Sequence, residues 1–178
     1  FIGEQALAAV GASYPITMIF MAVAIGSSIG CTVVVSQLFG SKHYAMLKTA
    51  VGTICCAGVV VSLALSLFGI RQDDNLLLLL QTPENIFSDA SLYLHIYILG
   101  FLFLFLYNVG TGIFTALGDS RTPLYFLIGS SLGNIALDLL FVIAFDMGVA
   151  GVAWATFAAQ GISSLLALAA LLHRLKQI

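Results

Sequence analysis

Five stretches of this chain run for about twenty residues or more almost without charge, and that pattern decides the solvent in which it can fold. They cover residues 14–39, 45–70, 92–117, 123–145 and 149–172. Each is long enough to cross a hydrocarbon core of roughly 30 Å. In lipid only helices and closed barrels satisfy their own backbone groups. The runs are too long for barrel strands and lack the period-two alternation such strands carry. The predicted fold is all-α, a polytopic transmembrane bundle of about five spanning helices. Composition agrees: of 178 residues, 61% are apolar and only 8% charged, too few to coat a water-soluble globule.

Turn residues separate the spans. Gly40-Ser41-Lys42-His43 divides the first two. Gly118-Asp119-Ser120-Arg121-Thr122-Pro123 divides the third from the fourth, with Thr122 expected to cap and Pro123 to open the helix. Thr82-Pro83-Glu84 has the same form and starts a helix ahead of the third span. Gly148 and Gly151 mark the turn into the fifth. The stretch 71–85, with leucines at 76–80, is too short to cross and reads as an interfacial segment. Two GxxxG pairs, Gly26/Gly30 and Gly129/Gly133, are expected to let helices approach closely. Cys31, Cys55 and Cys56 lie in apolar stretches and read as small packing residues.

Basic residues set the expected orientation. Lys42, Lys48, Arg121, Arg174 and Lys176 fall on one side, while Arg71 stands on the other beside Asp73, Asp74, Glu84, Asp89 and Asp146. The basic side is expected to be cytoplasmic, which puts a loop-like stretch at residues 1–13 outside. The expected location is a plasma or inner membrane. An odd number of spans, an outside start and Phe1 in place of Met together lead us to expect at least one further helix upstream. No basic cluster suggests nucleic acid as a partner.

Asp138 is the one ionisable residue well inside a span. It lies 15 residues along from Pro123, about 22 Å at 1.5 Å per residue, in the outer half of the bilayer. A carboxyl alone in hydrocarbon is costly and takes up a proton. Ser130 and Asn134 share its helix face, and Thr156 and Gln160 lie one turn apart on the next helix. A carboxylate, an amide oxygen and a hydroxyl form the hard oxygen set that a small cation or shuttled proton requires. The competing reading is a neutral acid bonded to a neighbouring helix. A polar stripe, Asn108, Thr111, Gly112 and Thr115, must face protein or a cavity, either as packing or as substrate contact. His95 reads as an interfacial histidine. No HExxH, GxSxG, Walker or CxxC pattern occurs, so no enzyme is expected.

Several of these segments resemble the multidrug and toxic compound extrusion (MATE) family. They are Ala6-Leu7-Ala8-Ala9-Val10-Gly11-Ala12, Ala116-Leu117-Gly118-Asp119-Ser120-Arg121-Thr122-Pro123, Asn134-Ile135-Ala136-Leu137-Asp138 and Met147-Gly148-Val149-Ala150-Gly151-Val152-Ala153-Trp154-Ala155-Thr156. The resemblance implies helices two to six of a twelve-helix transporter built from two six-helix lobes. The first helix and the second lobe lie outside this chain. It further implies an antiporter that expels organic cations or drugs in exchange for Na⁺ or H⁺, with no cofactor beyond that ion. By the same resemblance Asn134, Asp138 and Thr156 form the coupling site, a possible Na⁺ site, and Asn108 belongs to its network. Thr111 and Gln160 stand as possible network or substrate contacts. A second acid on the family's first helix lies outside this chain, which leaves the ion open. The implied partners are an organic cation, the bilayer and the second lobe. Competing expectations are a lipid-linked oligosaccharide flippase of the same superfamily and a non-transporting scaffold or channel.

Overall fold

A computed structural model describes residues 2–178. Six α-helices follow one another: α1 Gly3–Gly40, α2 Tyr44–Leu79, α3 Glu84–Leu99, α4 Phe101–Ala116, α5 Arg121–Leu139 and α6 Gly148–Gln177. One π-helical turn, Leu140–Ala144, prolongs α5. Among the described residues there is no strand. Among the described residues four helices are long and apolar enough to cross a membrane, five crossings if the bent pair α3–α4 counts as one span. The all-α membrane bundle is the observed fold.

Its core lies between α1, α3 and α4, with α2 and α6 on either side. Phe101 of α4 is fully buried, edge-on to Phe20 of α1 at 5.0 Å and to Phe105 at 6.0 Å. Buried positions on α1 recur at Ala6, Ala9, Ser13, Ile16, Phe20 and Ala24, one face of a 3.6-residue period. Small polar residues on that face bond across helices. Ser13 Oγ donates to Ala90 O of α3 at 3.2 Å, and Ser28 Oγ to Asn108 O of α4 at 2.7 Å.

Several expectations need correcting. The stretch 71–85 does not lie along the surface: α2 continues unbroken through Arg71 to Leu79. Its buried face, Ser62, Ser66, Gly69, Asp73 and Leu77, keeps helical spacing through the polar residues, of which Asp73 and Asp74 bond to His95 and Ser91 of α3. The third span is not one helix. It breaks at Gly100 with a bend of 48°. A Cβ on Gly100 would sit 3.1 Å from Phe157 Cδ2, a tight contact against α6. The opening residues are helical from Gly3. The pairs Gly26/Gly30 and Gly129/Gly133 meet no atom of this chain within 4 Å of an added Cβ. The glycines that do sit at helix contacts are Gly58 against Phe105, Gly69 against Phe20 and Ile98, and Gly112 against Ser28 and Thr32.

Charges sort to the two ends. Arg174 near the end of α6 lies within electrostatic reach of Asp119 in the α4–α5 turn. Asp89 and Asp146 line one 450 Å³ cavity with Gln5 at the opposite end. Asp119 caps α5, not Thr122. Its Oδ1 accepts the Arg121 and Thr122 N–H groups at 3.1 and 3.0 Å, and the Thr122 hydroxyl donates to Oδ2 at 2.6 Å. Those bonds from Thr122, foremost the hydroxyl, hold the Asp119 carboxyl below the usual carboxylate range, and the Arg121 N–H and the Arg174 charge add to them. A carboxyl depressed by folding stabilises the native state above its unfolded pKa of about 3.9 and loses that contribution as pH falls further. Asp119→Ala is expected to cost about 0.5–2 kcal/mol, as other lost caps do. Thermal unfolding followed at pH 7 and pH 3 checks this, with the variant's deficit shrinking at the lower pH.

Candidate cation site

The site is built where α5 rests on α6. α5 has no buried residue and packs chiefly on α6, so its contact face is a single narrow seam. Asn134 and Asp138 occupy that seam one turn apart, both half-buried. Asn134 Nδ2 donates to Thr156 Oγ1 of α6 at 3.4 Å, and the Thr156 hydroxyl donates to its own helix at Val152 O, 3.1 Å away. Asp138 Oδ1 is buried and has no hydrogen-bond partner. A buried, unpartnered carboxylate oxygen is costly and calls for a cation or proton.

Two backbone features set this geometry. The π turn begins at Leu140, two residues beyond Asp138; such turns concentrate at functional sites because they re-aim the residues beside them. It is closed by the Phe145 N–H donating to Leu140 O at 3.2 Å. α6 then comes so close that a Cβ on Gly151 would lie 3.0 Å from Met147 Cβ and 3.2 Å from the Phe141 carbonyl carbon.

Gln160, one turn beyond Thr156, shares a cavity with Thr156, Tyr93, Tyr97 and Phe157, of about 10 Å³. That is close to the space one water occupies. Tyr93 also lies within electrostatic reach of Asp138, and its ring stacks on Tyr97 at 6.4 Å. Neither tyrosine stands out in sequence, where they resemble interface aromatics. Only their turn of α3 toward α6 reveals them.

Asn108 and Thr111 are placed differently. Asn108 Nδ2 donates to Leu104 O at 2.8 Å, and Thr111 Oγ1 to Tyr107 O and Asn108 O at 2.9 and 3.0 Å. With Gly112 they form the side of α4 that meets Ser28 and Thr32 of α1. Among the described residues no hydrogen bond joins them to Asn134, Asp138 or Thr156. His95 is not merely interfacial: its Nδ1 lies 2.8 Å from Asp73 Oδ2.

The donors at the α5–α6 seam are one carboxylate, one amide and one hydroxyl. Among the described residues no three His, Cys, Asp or Glu side chains gather as metal ligands. This set is too poor for a transition metal and suits a hard monovalent cation or a proton.

A model of the MatE family matches residues 1–140, most of the chain. The chain belongs to the MatE family. Over 164 residues it is 33% identical to the protein named "Probable multidrug resistance protein YpnP" of Bacillus subtilis (strain 168), covering 92% of this chain and 37% of that one. Among solved structures it resembles the outward-facing conformation of a multidrug resistance MATE family transporter of the MOP superfamily, with a TM-score of 0.89 at 23% identity. The inward-facing conformation of such a transporter gives 0.88 at 23% identity. These likenesses cover 93% and 92% of this chain and 37% of each structure, and they establish the fold. This MatE chain spans little more than a third of the length of the proteins it matches.

Proposed function

We propose that the chain is part of the N-terminal lobe, helices two to six, of a secondary active efflux antiporter that expels organic cations in exchange for Na⁺ or H⁺. The observation that carries this reading is the buried, unpartnered Asp138 oxygen beside the Asn134–Thr156 bridge. An ion or proton bound at Asp138 neutralises the carboxylate and favours one packing of α5 on α6. Release restores the charge and favours the other. A ligand moves such an equilibrium only by its differential affinity for the two states, and a buried carboxylate supplies a large difference. Rocking of one lobe against the other then changes the side to which the central cavity opens. The equal likeness to outward- and inward-facing relatives supports a lobe that moves largely as a unit.

In this reading the basic end, with Lys42, Arg121 and Arg174, faces the cytoplasm of a plasma or inner membrane. A flippase for pyrophosphate-linked oligosaccharides calls for cationic side chains in its cavity. Lys and Arg of this chain stand near the helix ends apart from Arg71, which lies exposed eight residues before the end of α2. Few cationic side chains are thus offered to such a cavity, which favours the efflux reading.

The test is transport by the full-length protein in proteoliposomes, with Na⁺ and proton gradients imposed separately. Efflux of an organic cation such as ethidium is expected to saturate with substrate and to stop when one of the two gradients collapses. Flux that persists without either gradient, or that rises linearly with substrate, identifies a channel or scaffold instead.

A further inference from the structure

Away from the α5–α6 seam, one side-chain contact joins a buried acid of α2 to a half-exposed histidine of α3. Asp73 of α2 is 6% exposed, with Oδ2 2.8 Å from His95 Nδ1 and Oδ1 accepting the Asp74 N–H at 2.8 Å. Asp89 and Asp146 line one cavity and so mark a common outer level. At 1.5 Å per residue His95 lies about 9 Å below Asp89 along α3. Asp138 also lies inward of Asp146, across the π turn Leu140–Ala144, so both sites lie below that level. The other basic residue at this end, Arg71, is exposed and about 200° around α2 from Asp73, so the partner of the Asp73 carboxyl is His95. Other titratable groups close in the chain are Asp74 on α2 and Tyr93 and Tyr97 on α3, while α6 has none before His173.

His95 and Tyr93 are two residues apart and so point to opposite sides of α3. His95 meets α2. Tyr93 and Tyr97 meet α6, where they enclose the small cavity with Thr156 and Gln160. The bend at Gly100 parts α3 from α4, so no straight helix fixes the outer half of this span. We infer that Asp73 and His95 are positioning residues of the cation site: they clamp α3 to α2, and so hold Tyr93 and Tyr97 against Thr156 and Gln160. The inference rests on the coupling role proposed for Asp138, Asn134 and Thr156.

The test uses the full-length protein in proteoliposomes, with ethidium efflux followed against Na⁺ at fixed pH and against pH at fixed Na⁺. His95→Ala and Asp73→Asn are expected to raise the half-saturating concentration of the driving ion about tenfold, within the usual range of site–site coupling. The maximal rate should fall by less than about twofold. His95→Asn, whose amide N–H falls near the place of the imidazole Nδ1, and the exchange of Asp73→His with His95→Asp should bring half-saturation back toward wild type. Should His95→Ala not reach the membrane, His95→Leu, which also lacks an N–H for the carboxylate, is expected to show the same shift. Half-saturation unchanged across these variants of a coupled wild type overturns the inference alone, as does a loss confined to maximal rate. A wild type indifferent to both gradients overturns the antiport reading and the inference with it.

Discussion

Asp138→Asn in the full-length protein is expected to abolish ion-driven efflux while the protein still accumulates in the membrane. The amide is nearly isosteric with the carboxyl and can bond to the same neighbours, so packing of α5 on α6 has little reason to change. What it cannot do is exchange a charge. A carboxylate whose Oδ1 is buried without a partner binds a cation or proton with a large gain and gives it up with a large cost. A permanently neutral side chain has the same charge in both states, so the ion no longer biases the equilibrium, however well the fold survives. Efflux rate and membrane abundance measured side by side check this. Efflux at the wild-type rate would remove Asp138 from the coupling step. Thr156→Val, which deletes the hydroxyl that accepts from Asn134, should weaken ion dependence without silencing transport.

Gly112→Leu is expected to disrupt the bundle more than any other single change on α4. A Cβ at Gly112 would overlap Ser28 Oγ and stand 2.8 Å from Thr32 Oγ1 and 3.3 Å from Ser28 O, the last of these backbone. Ser28 has little freedom to withdraw, because its hydroxyl donates to Asn108 O at 2.7 Å. Thr32 in turn donates to Ser28 O at 2.8 Å. Even Gly112→Ala should cost about 1–3 kcal/mol, the usual range for overpacking, and leucine more. The check is thermal unfolding in detergent, with Gly26→Ala and Gly129→Ala as comparisons, since an added Cβ at either meets no atom of this chain. Equal melting of Gly112→Ala and Gly26→Ala would show that α1 and α4 do not depend on this close approach.

The contrast between these glycines shows how far sequence reading reaches. Gly26/Gly30 has the spacing of a helix-contact motif and Gly112 has no partner four residues away, yet Gly112 makes the contact. A motif records which residues permit close approach. Which face a second helix covers depends on chain topology. Asp73 shows the same limit. Its stretch of five polar residues resembles a surface loop until α3 supplies His95 and Ser91 as partners, and the helix then continues through it. Asp138 and Asn134 stand out in the sequence because an acid in an apolar span has few explanations and helical spacing aligns the two, whereas Thr156 is paired with them by the family resemblance.

From the sequence alone came the solvent, the all-helical bundle, the sorting of basic and acidic ends and the one acid inside a span. Each follows from local physics: hydrocarbon tolerates no bare backbone and few charges, and a helix aligns residues four apart. Tertiary structure decided the break at Gly100, the length of α2, the cap by Asp119, the use of Asn108 and Thr111 between α1 and α4, and the turn of Tyr93 toward Asp138. Those depend on which helix lies beside which, and within a membrane most apolar faces are equally content against lipid or protein.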